Sequence, residues 1–233
     1  MVIIQHPQEP NENTPTCRGE TVQFGGRSDR GSGYLARSER SGPGVILLHE
    51  WFGLQDGFKA IADRLCAEGF TVLAPDFFDG KLAANEQEAE VLAKAGDSDL
   101  TGFRLKAAAR FLIENWHPRL GVIGFSWGAW WAAWLAQQMA VEATVLYYSV
   151  ADIEPKNFNG ALQGHFAEKD HFDPIEEVNV FLKGLADGGM EVDAHVYDAG
   201  HWFANPSVPK AFDADAAELA LARTIDFLHH HLS

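Results

Sequence analysis

The chain has 233 residues, of which 46% are hydrophobic, 22% charged and 12% aromatic, a balance that suits one globular domain with a sizeable core and excludes a disordered chain. Eighteen basic residues against 33 acidic ones give a formal net charge of −15, which repels phosphate backbones and anionic lipid, so neither nucleic acid nor a membrane surface is an expected partner. No run approaches the roughly 18 apolar residues of a membrane span, and Met1 to Pro10 lack a basic segment followed by an apolar one, so no signal peptide is expected and the location is read as cytoplasmic. Cys17 and Cys66 lie far apart and form no CxxC pair, so neither a disulfide framework nor a thiolate metal site is expected.

Residues 1–19 are read as an N-terminal arm, polar through Pro15 and without periodicity, and residues 20–233 as a single domain. Two short strands, 20–24 and 33–37, flank a glycine-rich turn and predict a hairpin at a sheet edge. Strands then alternate with helices: 45–49, helix 58–67, 71–75, helix 98–115, 120–124, helix 127–139, 143–149, 161–166, helix 174–187, 191–198 and helix 214–230. The acidic connection 79–97 holds a short helix at 85–94 and is the one candidate flap, though a solvated connecting helix accounts for it. This rhythm predicts an α/β fold, a mostly parallel sheet with helices on both faces and right-handed crossovers. The connection 151–160 is too short to be a separate lid domain.

The most informative segment is Gly124-Phe125-Ser126-Trp127-Gly128, in which an apolar strand runs into Gly-x-Ser-x-Gly and on into a helix. That is the pattern of a nucleophile elbow, whose sharp turn lifts the serine hydroxyl above the sheet while the glycines let backbones approach. A serine hydroxyl is a weak nucleophile and needs a histidine base oriented by a third group. With elbows of this kind the acid and then the base follow in the chain. His201, on the loop before the last helix, is the expected base, since His165 precedes its strand end and His195 lies within a strand. The consecutive His229, His230 and His231 close the last helix, suit its C-terminal dipole and read as a surface cluster. Asp170, on the loop after the strand 161–166, is the expected acid, with Asp173, Asp198 and Glu168 as alternatives; Asp173-Pro174 also reads as a helix N-cap. Donors for a developing oxyanion are expected from the backbone amides of Trp127 and Trp51. Trp51, Trp127 and Trp202 could also form an aromatic wall, while Trp130, Trp131 and Trp134 read as packing of a central buried helix. No motif for a metal or organic cofactor is present, so none is expected.

Four segments resemble the dienelactone hydrolase family of α/β-hydrolases: Leu48-His49-Glu50-Trp51-Phe52-Gly53-Leu54, Ala74-Pro75-Asp76-Phe77-Phe78, Gly164-His165-Phe166-Ala167-Glu168-Lys169-Asp170, and Ala199-Gly200-His201-Trp202-Phe203-Ala204. The resemblance implies an α/β-hydrolase fold and a Cys-Asp-His triad with a glutamate contacting the resting nucleophile, places held by Asp170, His201 and Glu50. Ser126 stands where the family usually has cysteine, so the glutamate's influence on a thiol is lost and Glu50 is expected to hydrogen-bond the elbow instead. The resemblance also implies two substrate-binding arginines; Asp79-Gly80-Lys81 and Asn205-Pro206 occupy their neighbourhoods, leaving Lys81 as a substitute point charge and Trp202 as a pocket contact. The expected activity is hydrolysis of a small ester or lactone through Ser126, Asp170 and His201. A non-catalytic small-molecule binder on the same scaffold, or a thioesterase or peptidase, are the other readings.

Overall fold

The computed structural model describes residues 17–37 and 42–233; most of the expected arm lies outside them. Eight strands form one sheet: β1 (Arg18–Phe24), β2 (Gly31–Arg37), β3 (Gly44–Leu48), β4 (Thr71–Asp76), β5 (Leu120–Phe125), β6 (Ala143–Tyr147), β7 (Ala161–Ala167) and β8 (Val192–Tyr197). Their spatial order is β1-β2-β4-β3-β5-β6-β7-β8, antiparallel across β1-β2-β4 and parallel from β4 onward. The expected edge hairpin and the mostly parallel sheet are both present.

Six helices cover the faces: α1 (Asp56–Ala67), α2 (Glu86–Ala95), α3 (Ser98–Asn115), α4 (Trp127–Ala136), α5 (Ile175–Asp187) and α6 (Ala214–Leu232). Every residue of β3 and β5 is buried because helices pack on both sides, and the strand alternation divides them. Val45, Leu47, Ile123 and Phe125 face α1 and α6, whereas Ile46, Leu48, Leu120 and Val122 face α3 and α4. Three of the six helices start on side-chain caps: Asn85 accepts from the Glu88 amide, Asp97 from those of Asp99 and Leu100, and Asp213 from that of Ala216. Helix α4 is mostly buried, as expected, but of its tryptophans Trp131 is buried while Trp130 is 45% exposed and does not pack in the core.

Cys17 and Cys66 are joined in a disulfide, with Cα atoms 5.9 Å apart, contrary to the expectation from their spacing. The β1–β2 hairpin returns the chain alongside the end of α1, a juxtaposition created by the crossover and absent from any local pattern. Structural disulfides are rare in a reducing cytosol, which runs against the cytoplasmic reading. No helix among the described residues is long and apolar enough to cross a membrane.

Candidate active site

The parallel strands end together on one side of the sheet, and three of the four non-glycine residues with left-handed φ among the described residues stand there: Ser126 at 49°, Tyr148 at 39° and Trp202 at 64°. Such conformations cost on the order of 1–3 kcal/mol each and persist where surrounding contacts impose them. At the elbow those contacts are the Ser126 N–H donating to Tyr147 O at 3.0 Å and the Ala129 N–H donating to Ser126 O at 2.8 Å. A Cβ at Gly124 would lie 2.3 Å from Gly128 O, and one at Gly128 would lie 2.6 Å from both His49 O and Leu48 O. Both glycines are therefore required for α4 to start directly against the end of β3. Gly128→Ala should force backbone apart and lower stability by about 1–3 kcal/mol, read as a fall in the denaturant midpoint; an unchanged midpoint would contradict this packing.

Asp170 is brought to the site by an extension of the β7–β8 pairing, in which the Glu168 N–H donates to Tyr197 O at 2.8 Å and the Lys169 N–H to Ala199 O at 2.9 Å. Its Oδ1 accepts from the amides of Phe172 at 2.8 Å and Asp173 at 3.2 Å, and its Oδ2 lies 2.7 Å from His201 Nδ1. His201 Nε2 in turn lies 2.8 Å from Ser126 Oγ. With Nδ1–H donating to the carboxylate, Nε2 is left as an acceptor for the serine O–H. Asp170 and His201 are both buried.

The other candidates have different hydrogen-bond or ion-pair partners from the pair His201 and Ser126. Asp173 accepts from the Val150 amide at 3.2 Å and does not cap α5, whose N-cap is Pro174. Asp198 pairs with Lys169, and Glu168 is exposed. His165 is buried in a network with Tyr197 Oη, Gln163 Oε1 and Thr224 Oγ1, and His195 pairs with Asp193 at 3.0 Å.

Glu50 is fully buried, but its recorded partners are Tyr148 and Asn205 rather than the elbow serine. The Tyr148 hydroxyl donates to Oε1 and Asn205 Nδ2 donates to Oε2 at 3.1 Å. Neither partner carried a sequence signal, because Tyr148 reads as the end of an apolar strand and Asn205 as a loop residue. Burial pushes the Glu50 carboxyl up to about 7 despite these two hydrogen bonds, which pull the other way. From its ordinary value of 4.5 up to about 7, the unfolded chain releases this proton while the native protein keeps it, so native stability falls as pH rises through that window. Glu50→Gln has no charge to bury. Its stability relative to wild type should climb over the same window, by up to about 3 kcal/mol above it. Parallel stability profiles from pH 4 to 8 would contradict this. His49, also buried, donates from Nδ1 to Glu50 O at 2.6 Å and accepts the Phe77 N–H at Nε2, and burial lowers its pKa.

The expected three-tryptophan wall is reduced to two. Trp51 and Trp202 stack with ring centroids 6.4 Å apart, and Phe172 joins them at 5.7 and 5.2 Å while lying 4.8 Å from the His201 ring. Trp127 turns instead to His49, Phe77 and Phe78. Lys81 is exposed and lines a cavity of about 260 Å³ with Phe77, Phe78, Asp79 and Arg104, which includes none of Ser126, Asp170 or His201. Arg104, which the sequence did not single out, pairs there with Asp79 at 3.2 Å. Among the described residues, no three His, Cys, Asp or Glu side chains gather as a metal ion would require.

The model of the dienelactone hydrolase family matches residues 32–232. The chain belongs to this family. Among its relatives, the protein usf of Aquifex pyrophilus is 31% identical over 92% of this chain and 100% of its own length, and carboxymethylenebutenolidase 1 of Cupriavidus pinatubonensis is 25% identical over 89% and 94%. Among solved structures, one named m3DLH superposes with a TM-score of 0.82 at 20% identity, covering 94% of this chain and 100% of that one. A dienelactone hydrolase-like promiscuous phosphotriesterase from metagenomic libraries superposes at 0.73 and 21% identity, covering 94% and 100%. The sheet order and the helices on both faces are thus those of a dienelactone hydrolase-type α/β-hydrolase.

Proposed function

We propose that this member of the dienelactone hydrolase family is a serine hydrolase of small carboxylic esters or lactones, with Ser126 as nucleophile, His201 as base and Asp170 as the group that orients it. The observation that carries the reading is the unbroken relay from Asp170 Oδ2 through His201 to Ser126 Oγ, at 2.7 and 2.8 Å. Ser126 Oγ attacks the acyl carbon as its proton passes to His201 Nε2, and Asp170 stabilises the resulting imidazolium. The carbonyl oxygen, now an anion, is held by the Trp51 and Trp127 amides, neither of which donates to a protein acceptor among the described residues. Collapse of this intermediate expels the alcohol, which takes the proton from His201 and leaves an acyl-serine. Water then attacks the acyl carbon, giving one proton to His201, and Ser126 takes that proton as the C–O bond to it breaks, releasing the carboxylic acid, which ionises in solvent.

Trp51, Trp202 and Phe172 present an apolar wall suited to a planar or apolar acyl group. Lys81 lines a cavity that excludes Ser126, Asp170 and His201 and so does not replace a bidentate arginine there, and a carboxylate-bearing dienelactone should be a poorer substrate than a neutral ester. The test is hydrolysis of a short p-nitrophenyl ester by wild type and by Ser126→Ala, with dienelactone alongside and a chelator added in a parallel run. Ester turnover that vanishes in the variant and is indifferent to the chelator supports the proposal. Turnover retained by a folded Ser126→Ala protein overturns it.

A further inference from the structure

Faces of α1 and α6 lie side by side over one layer of the sheet. Gly57, Ala60 and Arg64 lie on one stripe of α1, and Ala214, Ala217 and Glu218 on the facing stripe of α6. With Ile61 and Leu221 the two helices supply eight lining residues, four of them glycine or alanine, and a cleft of about 270 Å³ remains between them. Its floor is the stacked pair Phe125 and Tyr147, with ring centroids 4.3 Å apart. One end is spanned by Arg64 and Glu218, paired at 2.6 Å from opposite helices. None of Ser126, Asp170 or His201 lines it.

The chemistry of the lining points to one kind of ligand. The Tyr147 hydroxyl is already engaged by Thr224 at 2.8 Å, so the body of the cleft offers apolar and aromatic surface. Polar capacity is concentrated at the Arg64–Glu218 pair: the Glu218 carboxylate also lines the cleft, and the Arg64 guanidinium, with five N–H donors, donates to it alone among the described residues. A planar fork with donors to spare matches a carboxylate better than it matches a point charge. The volume falls just below the roughly 300–1,000 Å³ typical of drug-sized ligands, which suits about two fused rings. From this cleft we infer a second, non-catalytic ligand site for a small, flat, apolar monocarboxylate, its rings over Phe125 and Tyr147 and its carboxylate on Arg64.

Isothermal titration calorimetry of the whole chain with 2-naphthoate tests the site by binding alone, independently of any turnover. Wild type and Ser126→Ala should give the same saturable one-to-one isotherm. Arg64→Met, which removes only a half-exposed ion pair and so should fold normally, should weaken binding by about tenfold or more. Ala217→Phe, which fills the cleft, should abolish binding while leaving ester hydrolysis intact, and 2-naphthylmethylamine should not bind wild type. The absence of binding by wild type overturns the proposal, as does binding that survives Arg64→Met, since the ligand would then sit elsewhere. Should Ala217→Phe lack a cooperative thermal transition, Arg64→Met and the amine decide the matter.

Discussion

Ser126→Ala should lower kcat for a p-nitrophenyl ester by roughly four to six orders of magnitude, and His201→Ala should do the same. The two losses should not add, because in the proposed relay Ser126 Oγ and His201 Nε2, 2.8 Å apart, act as one device, and either change alone would leave no activated nucleophile. Asp170→Asn should cost about ten thousand-fold with little change in fold. Asp170 Oδ1 receives two backbone amides, so the amide nitrogen of an asparagine is driven toward His201 Nδ1, where it favours the wrong imidazole tautomer. Steady-state kinetics of the three single variants and the Ser126→Ala/His201→Ala double variant check this. Multiplied losses in the double variant would mean that the residues work separately, and a mild Asp170→Asn effect would mean that another group orients the base.

Removing the disulfide should have the largest effect on stability. Cys17 and Cys66 are separated by 49 positions, and a loop of that length is worth up to about 4 kcal/mol through the entropy it removes from the unfolded chain. For a domain of this size that corresponds to a fall in Tm of about 10 °C. The Cys17→Ser/Cys66→Ser double variant and the reduced wild type should lose the same amount and have matching denaturant midpoints. Ester hydrolysis at 25 °C should persist, because neither cysteine touches Ser126, Asp170 or His201. Equal midpoints for reduced and oxidised wild type would show that the cross-link constrains nothing.

The elements most legible in the sequence were those governed by local chemistry. The 98–115 helix has the bounds its periodicity predicts, and Asp97 caps its start. The elbow was legible because a strand, two glycines and a helix follow one another within a few residues. His201 could be chosen from ten histidines by its place in chain order. Asp170 could only be ranked among four carboxylates, since the deciding fact is the continued β7–β8 pairing through the Glu168 and Lys169 amides, a contact between segments some thirty residues apart. The same holds for Tyr148 and Asn205 as partners of Glu50, and for Cys17 with Cys66. The Trp127 ring differs from its expected place for a related reason: its position after Ser126 is plain in the sequence, but the direction of its ring depends on the Phe77–Phe78 segment that follows β4.

The most direct measurement of whether Ser126 is an activated nucleophile is intact-protein mass spectrometry after exposure to a fluorophosphonate. Wild type should gain a single phosphonyl adduct, mapped by peptide analysis to Ser126, and a folded Ser126→Ala protein should gain none. A wild type that stays unlabelled, or a variant labelled to the same extent, would contradict the assignment of Ser126, His201 and Asp170 as the catalytic relay.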